Sequence, residues 1–252
     1  MRYVGSKAKY SKQIVPILQK IIDDGKMDTY IEPFVGGANV IDKIKCKDRY
    51  GFDIDPLPIE LLKIAQKKPE IFEKLPKTIS KEHYYFIRDN GQYVATEWYK
   101  AAVLMFASYN ARVYGGCYGA TATTKEGKVR DYWNESIENF KKQIPQLEGI
   151  FFGAIDYSSV TKVVAPRPNK TLIYCDPPYQ SGIGYKDKFN HEEFWEWVRD
   201  MSKIYTVVVS EETAPEDFVA IWQSESRSHM NYKKTKTKVE KLFILNKSEN
   251  KS

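Results

Sequence analysis

Residues 171–179, Thr-Leu-Ile-Tyr-Cys-Asp-Pro-Pro-Tyr, constrain the fold more than any other stretch of this chain. Leu172, Ile173, Tyr174 and Cys175 make a short apolar run with β-branched and aromatic character, and two prolines close it. The pattern predicts a buried parallel strand that stops abruptly. Proline has no amide hydrogen for a ladder, and Pro177 holds Asp176 extended. Asp176 and Tyr179 are therefore expected just beyond the carboxyl end of a strand, where open α/β sheets bind ligands. Asp176 supplies acceptors only, Pro177 and Pro178 supply carbonyls without competing donors, and Tyr179 supplies a flat face. This set suits a planar substrate with an exocyclic amino group, such as a nucleobase. A bare Asp-Pro is more often a turn whose aspartate caps a neighbour; the full tetrapeptide favours the site.

Two more strands are expected to end in chemistry. Residues 29–34 read as the first sheet strand, ending at Pro33 and followed by Phe34-Val-Gly-Gly37. Two adjacent glycines are not the G-x-G-x-x-G fingerprint, which argues against a nicotinamide enzyme and fits a cofactor without pyrophosphate. Gly36 and Gly37 permit close backbone approach, and residues 38–44 are expected to begin a short helix with its amides toward the ligand. Residues 49–55 read as the second strand. Asp53 lies 17 residues beyond Gly36, near the ~20-residue offset at which a second-strand acid reaches a ribose. Asp55 is the alternative, and one of the pair is expected to cap the next helix.

Farther along, residues 109–119 combine Asn110 and Arg112 with Tyr109, Tyr114 and Tyr118 and three glycines. Asparagine and arginine hydrogen-bond bases and phosphates, and tyrosines stack or wedge. A polar hairpin carrying Lys125, Lys128 and Arg130 is expected to follow; an exposed loop packed on the main domain explains the same residues.

In this order the motifs resemble a known family. Asp176-Pro177-Pro178-Tyr179 looks like the catalytic motif of amino-methyltransferases that act on nucleic acid. Residues 30–40, Tyr-Ile-Glu-Pro-Phe-Val-Gly-Gly-Ala-Asn-Val, resemble their cofactor loop. With Arg2-Tyr-Val-Gly-Ser-Lys7 at the start, the chain resembles the Dam-type (alpha-group) DNA adenine-N6 methyltransferases, and their phage-like members in particular.

The resemblance implies a Rossmann-like α/β sheet with helices on both faces, formed by residues 1–56 and 132–252. It places a mostly helical target-recognition insert at 57–131, with a hairpin near 113–130. It implies methyl transfer from S-adenosylmethionine to the N6 amino group of adenine in a specific DNA sequence, with base flipping. Asp176, Pro177, Pro178 and Tyr179 would act on the base. Tyr3, Gly5, Lys7, Glu32, Pro33, Phe34, Gly36, Gly37, Asp53, Asp156, Tyr157 and Asp176 would hold the cofactor. Asn110, Arg112, Tyr114, Lys125, Lys128 and Arg130 would meet double-stranded DNA. A cognate restriction endonuclease is the further partner, and a monomer or weak dimer the expected state. Cytosine-N4 methylation needs the same geometry, and a catalytically silent DNA-binding protein of this fold is the rival from another class.

Composition sets looser bounds. Charged residues at 29% and aromatics at 14% exclude a disordered or fibrous chain. The net charge of +6 permits a polyanionic partner without requiring one. Cys46, Cys117 and Cys175 and three scattered histidines show no ligand spacing, so no metal is expected. No apolar run reaches ~18 residues, so neither a membrane span nor export is expected, and the cytoplasm is the expected location.

Helical spacing predicts helices over 6–23, 58–67, 81–88, 97–108, 134–143 (capped by Asn134) and 191–203. Buried strands are expected at 149–155 and 205–210, a short element at 214–222 and a last strand at 240–246. Residues 182–185 read as a strap over the bound base, and the basic run 227–241 as a solvated loop.

Overall fold

The computed structural model describes residues 1–124, 126–179, 189–228 and 236–246. After a 3-10 turn at Lys7–Lys9, helix α1 (Ser11–Gly25) buries Ile14, Leu18 and Ile22 along one side. Strands β1 (Thr29–Glu32) and β2 (Asp48–Asp53) lead into helices α2 (Pro56–Lys67), α3 (Lys81–Val94) and α4 (Glu97–Phe106). A small hairpin, β3 (Thr121–Thr123) and β4 (Val129–Asp131), precedes α5 (Tyr132–Gln143). The chain then alternates through β5 (Ile150–Ala154), α6 (Val160–Val164), β6 (Thr171–Cys175), α7 (His191–Ser202) and β7 (Thr206–Glu211). It closes with β8 (Phe218–Ser228) and β9 (Lys236–Leu245).

Among the described residues seven strands form one sheet in the order β5-β2-β1-β6-β7-β9-β8. The first five run parallel; β9 is antiparallel to both β7 and β8. The order reverses between β1 and β6, so their carboxyl ends flank a topological switch point. Side chains alternate across this sheet as the pleat requires. Tyr30, Leu172, Tyr174 and Val208 pack toward α1, α2, α4 and α5; Ile31, Ile173, Cys175 and Val209 pack toward α6 and α7. Burial on both faces explains why 172–175 is continuously apolar. This is the expected doubly wound α/β sheet with helices on both faces.

Several local expectations are corrected. Residues 38–44 form only a 3-10 turn at Ile41–Lys43. Ala38 stands at φ 55°, outside the helical region, and the Asn39 amide nitrogen is held by the Met1 carbonyl at 2.7 Å and the Ser6 hydroxyl at 2.8 Å. No helix therefore aims its amides at the glycine turn. Helix α5 is capped by Asp131, whose carboxylate accepts from the Asn134 amide at 3.0 Å, rather than by Asn134. Strand β5 is the sheet edge, not a buried strand, and Phe151 on it is 53% exposed.

The basic run is no loop where it is described: β8 and β9 pair as far as Ser228↔Lys236. Pairing between β9 and β7 ends at Lys241↔Glu211; Glu240 still reaches back to Ser210 through its side chain, while the backbone of 236–239 pairs only with β8 among the described residues. A ladder extending past the core needs no apolar face, which is why hydrophobic patterning missed it. The expected short element at 214–222 is the start of the same long hairpin. The strap at 182–185 lies outside the described residues.

Helix α2 packs on β2 and β5 as well as on α4, so the first helix of the 57–131 segment covers the sheet. Trp133 fastens the segment to α5: it is 1% exposed, and its indole nitrogen donates to the Pro76 carbonyl at 2.8 Å. Trp133→Ala should cost ~3–5 kcal/mol of unfolding free energy, read by chemical denaturation. A loss below about 1 kcal/mol would show that Trp133 is not the fastener.

Candidate active site

The sheet topology brings five acids to one rim. Glu32 ends β1, Asp53 ends β2, Asp176 follows β6 directly, and Glu211 ends β7. Glu240 joins them from β9, because an antiparallel strand enters the sheet at the rim where its parallel neighbours leave it.

At the centre, the Lys7 ammonium donates to Asp176 Oδ1 at 2.5 Å and lies 3.7 Å from Glu240 Oε1. It also sits 4.3 Å from the Tyr179 ring centroid, a cation–π distance. The same Glu240 oxygen accepts the Tyr179 hydroxyl at 2.5 Å and the Ser210 hydroxyl at 2.6 Å. Pro177 is buried, while Asp176, Pro178 and Tyr179 are half-buried. Burial, with the Asp176 and Glu240 carboxylates nearby, pushes the Tyr179 hydroxyl pKa far up, so it stays a donor.

Beside this centre lies the glycine turn. Gly36, at φ 44°, donates its amide to Asp53 Oδ2 at 2.9 Å, and the other carboxylate oxygen accepts from the Asp55 amide at 3.0 Å. A Cβ on Gly36 would meet the Tyr3 ring at 2.7 Å, and one on Gly37 the Met1 carbonyl at 2.5 Å. The glycines thus admit the chain's own N-terminal segment, which lays Tyr3 over the turn and brings Lys7 to Asp176. Gly5 stands at φ 75° and is exposed. Glu32 is 3% exposed and accepts the Tyr30 hydroxyl at 2.7 Å; burial raises its pKa well above the usual carboxylate range. Asp53, also buried, is raised to about 7, against the opposing pull of its two amides.

The remaining nominees fall in two groups. Phe34 stacks on Tyr157 with centroids 5.5 Å apart and planes 27° off parallel, inside a cluster with Phe189, Phe194 and Trp197. Pro33 is buried before Phe34. Asp156 accepts the Ser158 amide at 2.9 Å and its hydroxyl at 2.6 Å, capping the turn that carries Tyr157.

The second group lies on the 109–131 segment. Asn110, at φ 56°, and Arg112 are exposed. Tyr114 is exposed too, but its hydroxyl donates to Asp55 Oδ1 at 2.9 Å. Lys128 is exposed on the hairpin, Arg130 pairs with Glu135 at 2.5 Å, and Lys125 lies outside the described residues. Asp55 itself caps α2 by accepting the Leu57 amide at 3.0 Å.

Sequence reasoning missed Ser210, Glu211 and Glu240. Glu211 had a signal, since it ends an apolar strand as Asp176 does. It is 4% exposed, its Oε2 has no hydrogen-bond partner among the described residues, and burial raises its pKa to about 7. Glu240 had none, because its place depends on the antiparallel insertion of β9. Among the described residues no group of three or more His, Cys, Asp or Glu could hold a metal ion, and no helix is long and apolar enough to cross a membrane.

Comparison with known proteins gives the family. A family model described as D12 class N6 adenine-specific DNA methyltransferase matches residues 3–238. Type II methyltransferase M.MjaIII of Methanocaldococcus jannaschii is 26% identical over 207 residues, 71% of this chain and 68% of that protein. Type II methyltransferase M.FokI of Planomicrobium okeanokoites is 23% identical over 79% of this chain but 31% of its own length. Modification methylase StsI of Streptococcus sanguinis is 24% identical over 74% of this chain and 29% of its own. The chain thus spans about two thirds of the first relative and under a third of the other two. Among solved structures, an rRNA methyltransferase, aviRa from Streptomyces viridochromogenes, aligns over 95% of this chain and 84% of its own at 11% identity, with a TM-score of 0.45.

The two acids near 7 make the apoprotein's stability depend on pH. A carboxyl whose pKa is about 7 folded and roughly 4 unfolded binds more protons in the native state, so stability rises as pH falls through 7. Lowering pH from 8 to 6 should therefore raise the unfolding free energy by roughly 1 kcal/mol for each of Asp53 and Glu211. Asp53→Asn and Glu211→Gln should flatten the slope, and an unchanged slope in both would show that neither acid titrates there.

Proposed function

The chain belongs to the D12 class of N6 adenine-specific DNA methyltransferases, and from that premise we propose which residues carry the transfer and how. The observation that carries the reading is Asp176-Pro177, set at the carboxyl end of β6 beside the switch point, with an ammonium already hydrogen-bonded to the aspartate. An acceptor that holds an ammonium can hold an amino group. The adenine N6 nitrogen is a poor nucleophile because its lone pair is delocalised into the ring. Asp176 Oδ1 and the Pro177 carbonyl accept its two hydrogens and draw the nitrogen toward tetrahedral geometry. Tyr179 stacks on the base, offsetting an extrusion cost of roughly a few kcal/mol. Extrusion follows from depth, since an amino group stacked in a duplex cannot reach a half-buried aspartate.

The rim suits S-adenosylmethionine, which when bound supplies a methyl group on a positively charged sulfur. Its cationic sulfur and amino group match a rim of acids, and its ribose hydroxyls match Asp53 beside the Gly36 turn. Phe34 and Tyr157 offer the apolar wall for its purine, with Asp156 within the same turn. Tyr3, Gly5 and Lys7 close the opposite, methionine end. The chain's residues then act by holding two groups in line, which can account for ~7–11 kcal/mol of a barrier.

The 57–131 segment presents Asn110, Arg112 and Lys128 to solvent, and we assign double-stranded DNA and its target sequence to that side.

Asp176→Ala should lower methyl transfer to unmethylated bacterial genomic DNA by at least ~100-fold, while S-adenosylmethionine binding by calorimetry changes only a few-fold. Digestion to nucleosides should yield labelled N6-methyladenine from the wild type. Labelled N4-methylcytosine instead, or an undiminished rate in the variant, would overturn the assignment.

A further inference from the structure

We propose that Glu240 is a positioning residue for the transfer, anchoring the Tyr179 ring through its hydroxyl so that the stacking face is set before a base arrives. This rests on the reading of Asp176-Pro177-Pro178-Tyr179 given above and adds to it a residue from a distant strand.

The geometry argues for an anchor. Neither proline before the tyrosine has an amide hydrogen to donate, and at the far end of the ring the Tyr179 hydroxyl donates to Glu240. Glu240 is 2% exposed, and one of its oxygens receives Tyr179, Ser210 and, at longer range, Lys7. Ser210 belongs to β7, whose Glu211 pairs with Lys241 of β9, so the acid is fixed by the sheet itself. A buried carboxylate placed so is costly unless paired, and three donors converge on it. An apolar residue would fill this core position as well; what the carboxylate adds is the hold on the tyrosine and a second counter-charge for Lys7. The rigid ladder thus reaches the motif's last ring from the side opposite β6.

The test uses the full chain, labelled S-adenosylmethionine and unmethylated bacterial genomic DNA. Single-turnover rate, cofactor affinity and thermal midpoint are each measured for Glu240→Gln, Glu240→Ala, Tyr179→Phe and the double variant Glu240→Ala/Tyr179→Phe. Glutamine keeps an acceptor for the hydroxyl and should stay within about 3-fold of the wild-type rate. Tyr179→Phe and Glu240→Ala should each lose about 10- to 100-fold with cofactor affinity unchanged, and the double variant should fall no further than Glu240→Ala. A structural role alone would lower the thermal midpoint and leave the rate per folded molecule intact. The inference is overturned if Tyr179→Phe transfers at the wild-type rate, or if the two losses multiply in the double variant. Should Glu240→Ala fail to fold, Tyr179→Phe against Glu240→Gln still decides, because a glutamine variant as slow as the phenylalanine variant would place the effect in charge rather than in the anchor. A wild type that transfers no methyl to adenine would instead sink the proposed function.

Discussion

Two carboxylates, Asp176 and Glu240, lie close together at the rim because the Lys7 ammonium stands between them. Their side chains are 18% and 3% exposed, and that of Lys7 is 5% exposed. Burying one such charge unpaired costs several kcal/mol, and burying two acids alone would cost more through mutual repulsion. The arrangement therefore depends on an N-terminal residue reaching a strand end 169 positions later. That reach depends in turn on the glycine turn, which lets Tyr3 and the Met1 carbonyl lie against the backbone where any Cβ would collide. Sequence, turn and charge balance form one chain of causes.

The ends of the parallel strands are legible in the amino-acid sequence alone. Asp53 and Asp176 each close an apolar run, and such acids arrive at the carboxyl rim whatever helices intervene. The core faces of α1 and α7 are legible for the same local reason, since helical spacing depends only on neighbours. The length of the terminal hairpin is not legible, because its inner strand inserts between β7 and β8 and a partner's position is not encoded in spacing. Glu240 inherits that opacity. Nor does the 38–44 stretch reveal itself: its apolar spacing suits a helix, but Asn39 is tied to Met1 and Ser6, and tertiary hydrogen bonds override propensity.

The roles of tyrosines and glycines divide along similar lines. Residue type alone suggests that Gly36 and Gly37 make room for a ligand, whereas they first make room for Tyr3 and the Met1 carbonyl. Tyr114 reads as a free stacking ring, yet its hydroxyl is committed to Asp55. Both outcomes come from contacts across the fold that no local window contains.

That last contact extends the hydrogen-bonded frame beyond the strands of the sheet. Tyr114 donates to Asp55, the Asp55 amide donates to one oxygen of Asp53, and the Gly36 amide donates to the other. A loop between α4 and the small hairpin is thereby joined, bond by bond, to the turn over which Tyr3 lies. Each donor in this series is a rigid backbone amide or a phenol with few torsions, so little conformational entropy is lost in closing it. The segment that faces solvent with Asn110 and Arg112 and the rim that holds the acids are thus parts of one bonded framework, and displacing the 109–119 loop would break a bond to the acid that caps α2.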